Sequence, residues 1–211
     1  MRHNRLLLSI LFAAAAAMPA VAQKRSSAPK ELTFTDALVA AQKAFEAGEF
    51  GGAISALQAA IRDVQKKQRL AVLAALPKPA AFTVKDDDPK DEAANPFAAG
   101  LAALGSTITR HYEGKDGKGM DVEVMANSPL VSMMSMMLSN PAIAKADGGE
   151  LVEYGAHKAL LKKNGDDGQE LTIVMYDKHL VKVTTRSMNA DELFAVFDQA
   201  AVDRLEKPLG K

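Results

Sequence analysis

Apolar residues recur every three or four positions over the first part of the chain after residue 32. Leu38, Ala41 and Phe45 form one run, Gly48 interrupts, and Ile54, Leu57, Ile61 and Val64 form a second. That is the period of one helix face. Alanine-rich flanks favour helix further. Pro77 and Pro79 end it, because proline removes a donor and clashes with the preceding turn. The pattern predicts a helical hairpin over 33–76. Residues 77–95, "PKPAAFTVKDDDPKDEAAN", are proline-rich and acidic and read as a linker, with "AAFTV" compatible with a short strand.

Beyond Asn95 the period changes. Asn95 suits a helix cap with Pro96 at the first helical position, for a short helix ending near Gly105. "STITRHYE" and "KGMDVEVMAN" then alternate, with Met120, Val122, Val124 and Ala126 on one face and a hairpin turn at "GKDGKG". "SPLVSMMSMMLSNP" has Ser128 to cap and Pro141 to stop a helix. At about 100° per residue, Leu130, Met134 and Met137 form its stripe, flanked by Met133 and Leu138, while Met136 falls off it. "ELVEY" and "AHKALLKK" predict two strands meeting at Gly155. "QELTIVMYD" and "HLVKVTTR" predict another pair turning at Asp177-Lys178. A last helix, "NADELFAVFDQAAVDRL", opens on a capping box of Asn189 and Glu192. The predicted class is α+β: the helical hairpin, then a domain over 96–208 holding an antiparallel sheet of about six strands, covered on one face by helices.

Ala41, Phe45, Gly48, Phe50, Ala53, Ile54, Leu57, Ala60 and Ile61, in "AQKAFEAGEFGGAISALQAAI", resemble one tetratricopeptide (TPR) unit. The likeness covers about 25 residues of a 34-residue repeat, with no second copy. Such hairpins do not bury their faces alone. The likeness therefore implies that this one packs on the rest of the chain or on another molecule, and that it serves protein binding. The later element order is similar in outline to the PsbP/Mog1-like fold. "VEYGAHKALL" also resembles a strand–Gly–strand hairpin of uncharacterised exported bacterial proteins.

The N-terminus sets the compartment. Arg2 and Arg5 precede an uncharged apolar run from Leu6 to Met18, and Ala20-Val21-Ala22 is an A-x-A cleavage signature. Residues 1–22 therefore read as a signal peptide cut before Gln23, and 23–32 as a flexible leader. The run is shorter than the roughly 20 residues a spanning helix needs. The expected location is periplasmic or secreted, with no stable membrane span after cleavage. The segment removes two arginines and no acid, so the exported part carries two net negative charges. That balance offers no footprint for nucleic acid. There is no cysteine, so stability rests on burial rather than disulfides.

Candidate chemistry is sparse. Met133, Met136 and Met137 stand at i, i+3 and i+4, and thioethers suit Cu(I). Core packing accounts for Met133 and Met137 without a metal. Met136 is left to contact something else, and the hairpin is expected to dock near it. Phe45, Phe50 and Leu57 are the hairpin's own candidate contacts. His111, His157 and His179 are scattered over strands and a turn. The aspartates Asp86, Asp87 and Asp88 invite a calcium reading, but a solvated charge run accounts for them. "NGDDGQE" puts Gln169 where a calcium-binding loop needs glycine. No HExxH, GxSxG or P-loop motif is present. The expectation is a non-catalytic exported binding or adaptor protein, with no cofactor and a protein partner in the cell envelope. The alternatives are a small-ligand binder, Met-based Cu(I) handling and an enzyme.

Overall fold

The computed structural model describes residues 32–88, 106–127, 130–146 and 148–210. Residues 1–22, expected as a signal peptide, most of the expected leader over 23–32 and the helix expected after Asn95 lie outside them.

Helix α1 (Phe34–Glu46) begins at Thr33, whose hydroxyl accepts the Asp36 N–H. Helix α2 (Phe50–Ala75) runs 26 residues and ends at Leu76, held extended at ψ 143° before Pro77. Gly48 turns the chain between them at φ 76°, a conformation costly for other residues. The two helices meet through small side chains: Ala37 and Ala41 of α1 and Ala53 and Ala60 of α2 are buried.

Seven strands follow: β1 (Thr83–Asp86), β2 (Ser106–Glu113), β3 (Gly119–Ala126), β4 (Gly149–Tyr154), β5 (His157–Asn164), β6 (Gly168–Met175) and β7 (His179–Arg186). They form one sheet in the order β1-β2-β3-β7-β6-β5-β4, antiparallel throughout. Helices α3 (Leu130–Ser139) and α4 (Pro141–Ala146) lie between β3 and β4; α5 (Ala190–Val196) and α6 (Gln199–Glu206) follow β7. The fold is α+β. Its extra strand, β1, forms inside the stretch expected as linker, overlapping the short strand that "AAFTV" allowed. The Asp86 carboxylate meets the Arg110 guanidinium at 2.6 and 2.9 Å, and Phe82 and Val84 pack on the core.

The main core lies on one sheet face. Ile108, Tyr112, Met120, Val122, Val124, Ile173, Val181 and Val183 pack there with Leu193, Phe197, Val202 and Leu205, under α5, α6 and the end of α2. A smaller core occupies part of the opposite face, where Leu160, Val174 and Leu180 carry Val131, Leu138 and Ala144. The rest of that face is half-exposed, with Asp121, Glu123, Glu170 and Lys182 on it.

Three expectations change. Among the described side chains of α3, Val131, which the expected stripe omitted, packs on the sheet together with Met134 and Leu138. Met136 is 69% exposed. Second, the hairpin does not dock near Met136. It meets the sheet domain through the end of α2, where Val72 and Leu76 are buried among β2 and the C-terminal helices. Arg69 there donates to the carbonyls of Thr107 and Asp87, Arg204 Nε to Ala75 O at 3.2 Å, and Tyr112 OH to Pro77 O at 3.0 Å. Hydrogen-bond donors thus meet carbonyls at the end of α2, whereas Met136 offers only a thioether facing solvent. Third, the last helix is two. Phe197 leaves helical geometry to bury its ring, Tyr154 OH donates to its carbonyl, and Asp198 caps a new helix through the Ala201 N–H. The Asn189–Glu192 capping box forms as expected.

Candidate functional site, an apolar face on the helical hairpin

Alanines hold α1 against α2, so the large apolar residues of both helices point elsewhere. Phe50, Ile54, Leu57, Ile61 and Val64 follow one another at spacings of four, three, four and three, and each is 46–61% exposed. This is a heptad seam, the spacing at which one helix presents a continuous apolar line to another. Phe34, Leu38 and Phe45 extend the surface onto α1. Of thirteen large apolar side chains exposed among the described residues, eleven lie between Leu32 and Leu70. Monomeric proteins seldom leave apolar patches of several hundred Å² uncovered.

The face is held in shape. At its tip, the Phe45 and Phe50 rings meet edge to face with centroids 5.7 Å apart across the Gly48 turn. At its other end, Asp63 accepts the Phe34 N–H at 3.0 Å and pairs with Lys67 at 3.2 Å. The Phe34 bond first, and Lys67 second, hold that carboxyl below its ordinary range. Toward the sheet domain the face deepens into a groove of about 790 Å³. Phe34, Leu38, Leu57, Ile61 and Val64 wall it, Gln65 and Gln68 rim it, and Asn127 and Pro208 close its end. Gln68 Nε2 donates to Pro208 O at 3.3 Å. The Asn127 N–H donates to His179 Nδ1 at 3.2 Å. His179 is 3% exposed. Burial pushes its pKa below the ordinary value, against the opposing bond to the Leu209 backbone.

The other candidates separate. His111 lies on the half-exposed sheet face, and both ring nitrogens are engaged: Nδ1 with Asp121 at 2.7 Å, Nε2 with Asp87 at 2.9 Å. The hydrogen bond to Asp121 leads in raising its pKa, and burial opposes it. His157, on the other face, contacts Glu206 at 3.4 Å and the Tyr176 ring, and β6 separates it from His179. The three histidines do not converge. Asp86 and Asp87 also depart from the solvated-run reading, since Asp86 pairs with the Arg110 guanidinium and Asp87 with the His111 ring. Among the described residues, no three His, Asp or Glu side chains are placed to hold a metal. Of the three methionines weighed for copper, only Met136 has a described side chain.

Phe45, Phe50 and Leu57 belong to the exposed face; Met136 belongs to neither the face nor the groove. The expected contacts Phe45, Phe50 and Leu57 left out Phe34, Ile61 and Val64, and the groove end at Asn127 and Pro208. The alanine positions were the available signal, because two helices in contact through alanine turn their larger neighbours outward. Among the described residues, no helix is long and apolar enough to cross a membrane. Comparison with family models, with curated proteins and with solved structures finds no match to this chain.

Proposed function

We propose that this is an exported, non-catalytic protein-binding module that docks a helical partner on the apolar face of its TPR-like hairpin. The observation that carries the reading is the exposed seam from Phe50 to Val64. A seam at heptad spacing suits the side chains of a second helix, which enter it as knobs into holes. The sheet domain supplies a rigid base: the last turns of α2 are buried in it, so the seam projects from a fixed element. A photocrosslinking residue at position 54 tests the reading in cells, with position 158 on β5 as the comparison. Position 54 is expected to give a protein adduct and position 158 none. Equal yields at both positions would overturn it.

The groove supports a second reading, a binder of small apolar ligands. Its volume and apolar walls with a few polar rim groups fit a ligand site. Titration with a fluorescent fatty acid separates the two: saturable one-to-one binding lost in Ile61→Asp favours the ligand.

A further inference from the structure

We infer that the occupant of the hairpin face is a second copy of this chain, packed antiparallel about a two-fold axis at Leu57. The inference rests on the protein-binding reading above and names its partner.

Three observations point to self-association. The first is the symmetry of the seam. Set antiparallel on a copy of itself with Leu57 opposite Leu57, it places Phe50 opposite Val64 and Ile54 within one residue of Ile61. A large ring then meets a small side chain at each end, and the pairing is the same for both copies, as a closed two-fold interface requires. The second is charge. Of the residues flanking the seam on α2, Gly51, Ser55, Gln58 and Gln65 are uncharged, and Arg62 and Lys67 carry charge. Set antiparallel about Leu57, Arg62 falls opposite Gly52 and Lys67 opposite Ala47, so two copies meet without like charges facing each other. The third is area. Phe34, Leu38 and Phe45 join the five seam residues at exposures of 39–65%. Together they offer roughly 800 Å² per copy, the amount a standard interface takes from each side. Two hairpins joined this way make a four-helix bundle, with each sheet domain at an outer end.

Leu57→Cys tests the axis directly, because the chain contains no other cysteine. Helices 8–10 Å apart bring residues on a two-fold axis within disulfide reach. The control is Leu70→Cys, which is 61% exposed on α2 but off the seam. Both purified full chains are oxidised and run on non-reducing gels, while sedimentation follows the unmodified protein from about 1 to about 100 µM. The inference expects sedimentation at twice the chain mass. It expects Leu57→Cys to form the covalent dimer at least tenfold faster than Leu70→Cys. Leu57→Glu should weaken self-association by about a hundredfold with an unchanged circular dichroism spectrum, since it sets two carboxylates on the axis. A monomer throughout, with equal crosslinking of the two cysteine variants, would overturn it. The mass of the adduct from position 54 separates this failure from failure of the parent reading. An adduct of other than twice the chain mass leaves a binding module with a different partner, and no adduct removes both.

Discussion

Replacing Asp86 with alanine removes the partner of a guanidinium whose side chain is only 2% exposed. Arg110 would keep its bond to Leu76 O at 3.3 Å but lose both carboxylate contacts. Breaking a fully buried pair costs about 3–5 kcal/mol, whereas an exposed pair contributes under about 1. Asp86 is 35% exposed, so water reaches the acid side of the pair but not the base. The expected cost of Asp86→Ala is therefore about 2 kcal/mol, between those limits. The double variant Asp86→Ala/Arg110→Met removes the stranded charge and keeps an apolar stem, and should be more stable than Asp86→Ala alone. Urea unfolding followed by circular dichroism at equal slope reads both differences. A loss under about 0.5 kcal/mol for Asp86→Ala, or a double variant no better than the single, would refute a stabilising role for the pair at the β1–α2 junction.

Other perturbations should separate core from surface. Leu76→Ala should cost about 2–4 kcal/mol in urea because it opens a cavity where α2 enters the core, whereas Leu57→Ser should change monomer stability by under about 0.5. Asn189→Ala should cost about 1 kcal/mol through loss of the capping box, read as a lower thermal midpoint. The His111 pKa is raised in the fold, so its contribution is complete below the unfolded value and disappears as pH rises through the folded one. His111→Gln should therefore flatten the decline of the urea midpoint above pH 6.5, by under about 1 kcal/mol given its exposure. His179 works in the opposite direction. Its pKa is lowered, so stability should fall as pH drops below 6.5 toward the folded value, and His179→Asn should reduce that slope.

Local signals carried much of this architecture. Periodicity located the hairpin, alternation located the strands from Ser106 to Arg186, and Asn189 and Glu192 announced their cap. Non-local balances were hidden. "AAFTV" suggested a strand near β1, but not its pairing with β2 or the bond from Asp86 to Arg110, which lies 24 residues away. The C-terminal helix breaks where burying the Phe197 ring outweighs helical continuity, with Tyr154 and Asp198 satisfying the freed backbone. The turn after β6 is centred on Tyr176 and Asp177, both at positive φ, where Asp177-Lys178 was expected; tyrosine gives no turn signal. Val131, unweighed beside four methionines, joins the sheet contact of α3. The hairpin face was half legible. Spacing alone marks a line of apolar residues without saying which of several lines is covered, and only the contact through Ala37, Ala41, Ala53 and Ala60 turns the larger line outward.

The seam from Phe50 to Val64 should be covered in the cell. Since the chain has no cysteine, single cysteines at positions 54, 57 and 61 report its accessibility to a polar maleimide in intact cells. Slow labelling at all three positions, with rapid labelling at positions 70 and 158, is the predicted result. Equally rapid labelling at all five would contradict the account.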